Sequence, residues 1–448
     1  MTFRTCLPGV RDLGTLDEVS GYIRPAPWGV FAGMGSRENV MAESDTVEEL
    51  EVVGSDFHDN PHRYYDRWRA QGPVRHLRSV HPYGVPCWVV IGYAEARAAL
   101  TDPRLLKDAR SAAELFRRNG NRSMLATDMQ ALNTHMLNTD PPGHTRLRKF
   151  VNKSFTARRV AALRPRIEEI TAELLDAMAG HDEADLLRDF ANPLPVTVIC
   201  ELLGVPYGDR GDFQGWTKIL IGGAGGLDDR DRASTEMAAY LTKLLADKRD
   251  HPGDDLLSGL ATESDAGDRL TDEELIAMSF LLLVAGHETT VNLIGNGTYA
   301  LLRDRAQFDA LRADPEGVPA AVEEFLRFCG PVGWATLRFT GEPVTIGETT
   351  IPAGEVVYVA LTAVDRDPDR YREPGELDIN RNIAGHMAFG HGIHFCVGAP
   401  LARMEATVAF TALLDRFPKL ALAPDFTPNW QPSLLIRGMT ELPVRPHG

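Results

Sequence analysis

The densest chemistry in the chain lies in one ten-residue segment, Phe389-Gly390-His391-Gly392-Ile393-His394-Phe395-Cys396-Val397-Gly398. Three glycines in ten positions force a tight loop and let the backbone approach a partner closely. A helical pattern over Gly398–Phe417 follows at once, so Cys396 stands at a helix N-terminus. There the free backbone N–H groups and the positive end of the dipole favour a thiolate. A thiolate so held is a nucleophile or a metal ligand. Residue types alone leave three readings of the loop open. One is an inert buried cysteine in a glycine-rich turn. Another is a zinc site drawn from His386, His391, His394 and Cys396, although zinc sites more often use two separated ligand couples than one crowded loop. The third is a single thiolate on haem iron, with the glycines making room for the porphyrin.

A second cluster sits inside the longest apolar helical pattern, Leu270–Asp304. Ala285-Gly286-His287-Glu288-Thr289-Thr290 sets an acid and two hydroxyls beside residues without bulk. Thr271-Asp272-Glu273-Glu274 forms a capping box for its start. At 1.5 Å per residue about 50 Å of helix follows, enough to cross a domain. An acid in apolar surroundings needs partners or a proton-transfer role; a packing glycine with Glu288 turned to solvent is the plain alternative. A third pair, Glu324 and Arg327, sits at i and i+3 on the pattern Pro319–Phe328 and shares one face.

Phe389-x-x-Gly392-x-x-x-Cys396-x-Gly398 resembles, at every fixed position, the haem-ligand signature of the cytochrome P450 family. The motifs at Ala285–Thr290 and Glu324-x-x-Arg327 fall in that family's order and spacing. The likeness runs from about residue 50 to about residue 440. It is nearest to soluble actinobacterial members that hydroxylate macrolides and other polyketides, and to relatives acting on steroid-like compounds. It implies a mainly α fold with a small β region: one domain, a helical triangular prism, with haem b (iron protoporphyrin IX) between the long helix and the Cys loop. Cys396 would be the axial ligand of the haem iron, and Glu288 and Thr289 the catalytic acid–alcohol pair. Glu324 and Arg327 would support the haem-binding core. The family's third arm, an Arg two residues after a later Pro, is absent, because Pro374-Gly375-Glu376 has Glu376 there; Arg372 or Arg381 is left to substitute. His144, Arg148, Arg338 and His394 match the cations that hold the haem propionates. Val284, Ala285, Val332, Trp334, Leu435 and Ile436 would line an apolar substrate pocket, with Trp334 narrowing the space above the haem.

The implied activity is monooxygenation: one oxygen atom of O2 inserted into a C–H or C=C bond of a bulky hydrophobic small molecule. A macrolide, another polyketide or a steroid-like compound fits, and terpenes and fatty acids stay open. Electrons would come from a 2Fe-2S or other small ferredoxin and an NAD(P)H-dependent ferredoxin reductase, because the chain shows no flavin or nicotinamide fingerprint. Lys149, Lys153, Arg158, Arg159 and Arg403 are candidates for the docking face. The alternatives are a haem-thiolate enzyme of desaturation, coupling or peroxide-driven oxidation, and a non-catalytic haem sensor.

The 448 residues carry 47 Lys and Arg against 63 Asp and Glu, a net charge of −16, and are 44% hydrophobic. That composition excludes a disordered or collagenous chain, and its acidity argues against a general nucleic-acid binder. Five cysteines without a C-x-x-C pair point to a reducing, cytoplasmic setting. The longest apolar stretch, Leu275–Ala285, is about half the roughly 20 residues a membrane span needs, so no membrane anchor is expected. A monomer is expected. Residues 1–40 read as a poorly ordered extension and 41–448 as the domain, with Met41 a candidate start. Helical spacing also marks Pro61–Gln71, Arg158–Gly180, Pro193–Leu203 and Asp231–Arg249. Strands are expected at Val85–Ile91, Leu337–Phe339, Val344–Ile346 and Glu355–Val359. Two loops, Ile221–Asp229 and Leu105–Asn138, would roof the pocket.

Overall fold

The computed structural model describes residues 50–448 apart from 80–84, 109–113, 115–131, 222–225 and 264–266. The expected extension at 1–40 and most of the long loop after Leu106 lie outside the described residues. The helices are α1 (Pro61–Arg69), α2 (Tyr93–Thr101), α3 (Gly143–Ser154), α4 (Ala157–Ala162), α5 (Arg164–Ala179), α6 (Pro193–Leu203), α7 (Arg210–Leu220), α8 (Leu227–Asp250), α9 (Leu256–Thr262), α10 (Asp272–Arg303), α11 (Arg305–Ala313), α12 (Val318–Cys329), α13 (Leu361–Val364) and α14 (Ala399–Arg416).

The capping box at the start of α10 is formed on both sides. Glu274 N donates to Thr271 Oγ1 at 3.2 Å, and Thr271 N donates to Glu274 Oε2 at 2.9 Å. Length and composition alone would let α10 cross a membrane, but 67% of its apolar window is buried inside the protein. It packs against α6, α12 and α14. Glycines set how closely: a Cβ on Gly286 would lie 2.6 Å from Ile199 Cδ1 of α6, and one on Gly297 2.6 Å from the Phe410 ring of α14. The single helix expected over Arg158–Gly180 is instead α4 and α5, parted at Leu163. Pro165 near the start of α5 explains the break, since its ring disfavours a helical residue before it and it has no N–H to donate.

Strands β1 (Val74–Arg78), β2 (Pro86–Val90), β3 (Leu105–Leu106), β4 (Ala184–Asp185), β5 (Arg338–Thr340), β6 (Val344–Ile346), β7 (Thr349–Ile351), β8 (Val356–Val359), β9 (Ala421–Leu422) and β10 (Pro443–Arg445) form three small sheets. The largest has the order β1-β2-β8-β5-β3, with β2 and β8 parallel in the register Val89↔Tyr358. Gly347 (φ +59°) turns β6 back into a hairpin with β7, a strand not among those expected from the sequence. Leu50–Gly448 makes one compact unit.

Candidate active site

Cys396 is half-buried in the loop before α14, and its N–H donates to Phe389 O at 3.0 Å. Gly390 and Gly392 take φ of +71° and +74°, which a side chain rarely adopts. At Gly392 a Cβ would also lie 2.7 Å from Leu100 O, so the glycine seats the loop on the end of α2. Burial pushes the Cys396 thiol up from its ordinary value. The N–H groups of Gly398 and Ala399 and the charges of Arg148 and Arg403 oppose that push without cancelling it. In the protein alone, burial thus outweighs the helix N-terminus that the sequence marked as favouring a thiolate; iron held there would favour the ionised sulfur.

On α10, buried residues flank a gap. Leu281–Val284 and Thr290–Ile294 are buried, whereas Ala285 is exposed and Gly286, Glu288 and Thr289 are half-buried. Exposure halfway along a core helix means that this face borders a cavity. Thr289 Oγ1 donates to Ala285 O at 3.1 Å. His287 is buried on the packed face, its Nδ1 donating to Leu283 O at 2.8 Å and its Nε2 3.6 Å from Glu288.

Cations converge beside the loop. His144, 2% exposed, has no hydrogen-bond partner on either ring nitrogen, and its ring lies 4.4 Å from that of His394. Arg148, one turn along α3, donates to Ile393 O at 2.9 Å and to Phe395 O at 2.6 Å. Arg338, buried at the start of β5, donates to Thr336 O at 3.1 Å. Lys107, which sequence reasoning missed, joins them, with Nζ donating to Thr336 Oγ1 at 2.5 Å. Beside Asp108 in a loop, Lys107 reads as a surface charge; only the fold reveals its burial. Burial, reinforced by these like charges, drives His394 down to about 2. Burial holds Lys107 well below its usual value and brings Arg338 to about 10. Buried cations and unpartnered imidazole nitrogens make an anion site, and the two carboxylates of haem fit it.

Glu324 and Arg327 are fully buried and bidentate, both contacts at 2.7 Å. Arg327 also donates to the carbonyls of Asp365, Pro374 and Glu376 at 3.1, 2.9 and 3.1 Å. Arg381 supplies a third arm, with Nε 3.3 Å from Glu324 Oε1; Arg372 is exposed.

The pocket segments meet. Val332 bridges to Ile436, Gly333 N donates to Leu435 O at 2.9 Å, and Asn296 of α10 donates to Arg437 O at 2.8 Å. Val284 is buried in a helical cluster with Ile199 and Met278. Trp334 departs from expectation. Its indole is buried among Phe57, Tyr65 and Tyr358 and donates to Tyr65 Oη at 2.9 Å, so it does not narrow the pocket. A buried indole N–H seeks a partner, and the N-terminal aromatic cluster supplies one. The zinc alternative is not assembled: His386 engages Glu323 and His394 lies tilted against His144, and among the described residues no three potential ligands converge. Of the basic docking candidates, Lys153, Arg159 and Arg403 are paired with Glu263, Asp254 and Glu323.

A half-buried cysteine in a glycine-shaped loop, a cation cluster and a helix opening on a cavity define a haem-thiolate protein. The cytochrome P450 family model matches residues 65–214 and 316–433, and the chain belongs to that family. It is 50% identical to the cytochrome P450 monooxygenase PikC of Streptomyces venezuelae, over 90% of this chain and 95% of that protein. It is 48% identical to the vitamin D(3) 25-hydroxylase of Pseudonocardia autotrophica, over 89% and 96%. The solved structure of the tirandamycin C-bound P450 monooxygenase TamI superposes with a TM-score of 0.83 at 48% identity, covering 88% of this chain and 99% of that one. The protein is a cytochrome P450 enzyme whose cofactor is haem.

Proposed function

We propose that the protein hydroxylates a bulky hydrophobic small molecule of the polyketide class, with Cys396 holding the haem iron. The observation that carries this reading is Arg148 donating to the carbonyls of Ile393 and Phe395, which joins the cation cluster directly to the thiol loop. When bound, haem supplies dioxygen activation and the oxidation of an unactivated C–H or C=C bond. His144, Arg148, Arg338 and His394, with Lys107, hold its two carboxylates. Cys396 would hold the iron and lend it electron density. Thr289, at the cavity edge, would hold and pass on a proton once its hydroxyl turns from Ala285 O, with Glu288 linking it to solvent. Ala285, Val332, Leu435 and Ile436 present apolar surface to the substrate and exclude water, and Val284 backs Ala285 from the packed side. Relatives named as a polyketide biosynthesis cytochrome P450, a vitamin D(3) 25-hydroxylase and a tirandamycin C-bound monooxygenase support a large apolar ligand. A small ferredoxin and an NAD(P)H-dependent reductase supply electrons. Cys87, Cys200, Cys329 and Cys396 are all free, which suits the reducing cytoplasm.

Two variants test this reading. Cys396→Ser abolishes the thiolate-type Soret shift of the reduced carbon monoxide complex; a retained shift would sink the ligand assignment. Thr289→Ala diverts electrons from product into hydrogen peroxide by about tenfold or more, in line with the loss of a positioned proton donor. Unchanged coupling of NAD(P)H use to product rules the relay out.

A further inference from the structure

Two adjacent acids on α12 face different ways. Glu324 fixes the 365–381 segment through Arg327 and Arg381. Glu323 instead reaches the thiol loop. Its Oε1 accepts from Arg403 Nε at 2.6 Å, and its Oε2 accepts from Arg403 Nη2 and His386 Nε2, both at 2.9 Å. The His386 Nδ1 accepts from Ala388 N at 3.3 Å, which leaves Nε2 as the donor to Glu323. Thus held, the Arg403 guanidinium lies over the Phe389 ring at 4.5 Å from its centre. Phe389 packs between the rings of His386 and Phe395, 5.9 and 6.2 Å away, and its carbonyl accepts the Cys396 N–H. One carboxylate therefore reaches the sulfur through three residues.

Charge matters as well as placement. Arg403 stands close enough to Cys396 for each to feel the other's charge. A bare guanidinium there would draw electron density from the sulfur. Paired bidentately with Glu323, it presents almost no net charge to it.

We propose that Glu323 is a positioning residue for the thiolate: it clamps Arg403 on Phe389 and His386 beneath it, and cancels a cation that would otherwise weaken electron donation by Cys396. This rests on Cys396 being the iron ligand.

The test is made on haem-loaded protein that shows the thiolate-type carbon monoxide spectrum, so a failure here stays distinct from a failure of that reading. Glu323→Gln keeps volume and hydrogen-bonding capacity but loses the charge. The haem midpoint potential moves to more positive values, and a larger share of the reduced carbon monoxide complex absorbs as the neutral-thiol form. Arg403→Gln moves the potential the opposite way, and the double variant returns close to the parent. A merely structural clamp would shift both single variants in one direction, and that result, or no shift in either, overturns the proposal. Where a variant loads haem poorly, Arg403→Lys serves, since it retains the charge and breaks the fork. It keeps the parent potential while amide exchange across 388–396 accelerates in the chain; unchanged exchange overturns the clamp.

Discussion

Glu405, on α14, is fully buried, and neither carboxylate oxygen has a hydrogen-bond partner. Burial raises it well above its ordinary value of 4.5; Thr290, close by but outside hydrogen-bond geometry, only softens the effect. The unfolded chain releases this proton near pH 4.5, while the native state keeps it. Stability from this site is therefore complete below pH 4.5 and falls as pH rises toward the raised native value. Glu405→Met, which fills similar space, should exceed the parent by about 1–3 kcal/mol near pH 4, where the unpartnered carboxyl alone is relieved, and by more at pH 8. Urea midpoints at the two pH values measure this; an equal gain at both would refute it. Neither Glu405 nor Lys107 was legible in the sequence, for one reason. A charged residue on a mixed helix or loop reads as solvated until tertiary packing buries it. Cys396, Glu324 and Arg327 stood out through their match to the cytochrome P450 motifs in order and spacing, because residue types alone left the Cys loop open and an i, i+3 pair alone is commonly a surface salt bridge.

At the level of elements, α6 was read to the residue and α10 to within two at its start and one at its end, because apolar periodicity and the capping box act within each element. The misreadings arose where neighbours decide. Gly286 had two readings in the sequence, room beside the acid or a packing glycine, and only the fold chooses the second, since its missing Cβ admits Ile199 of α6. Trp334 looked like a pocket wall until Tyr65, some 270 residues earlier, claimed its N–H. β7 went unseen because three residues with one buried side chain carry too short an alternation to register. The Gly286 contact gives a quantitative expectation. Gly286→Ala forces a methyl against Ile199 and destabilises by about 1–3 kcal/mol. In an Ile199→Ala background the same change costs markedly less, as denaturation of all four members of the cycle would show. Additive costs would mean that the two helices do not touch there.

Across the whole molecule, Leu50–Gly448 folds as one unit. The reason lies in long-range pairings that no local pattern announces: β2 pairs with β8, Tyr65 with Thr362, and Val332 with Ile436. The net charge of −16 was equally uninformative about the site, where Lys107, Arg148 and Arg338 gather beside the imidazoles of His144 and His394. Charge summed over a chain says nothing about where its few buried cations meet.

The pairing of residues 332–334 with 434–436 also ties distant stretches of the chain into one support. Arg437 donates to the carbonyls of His58 and Asp59, and β10 closes on β4 through Val444 and Ala184. Segments near residues 58, 184, 333 and 435 therefore lean on one another, so loosening any one of them loosens the ground on which the others stand.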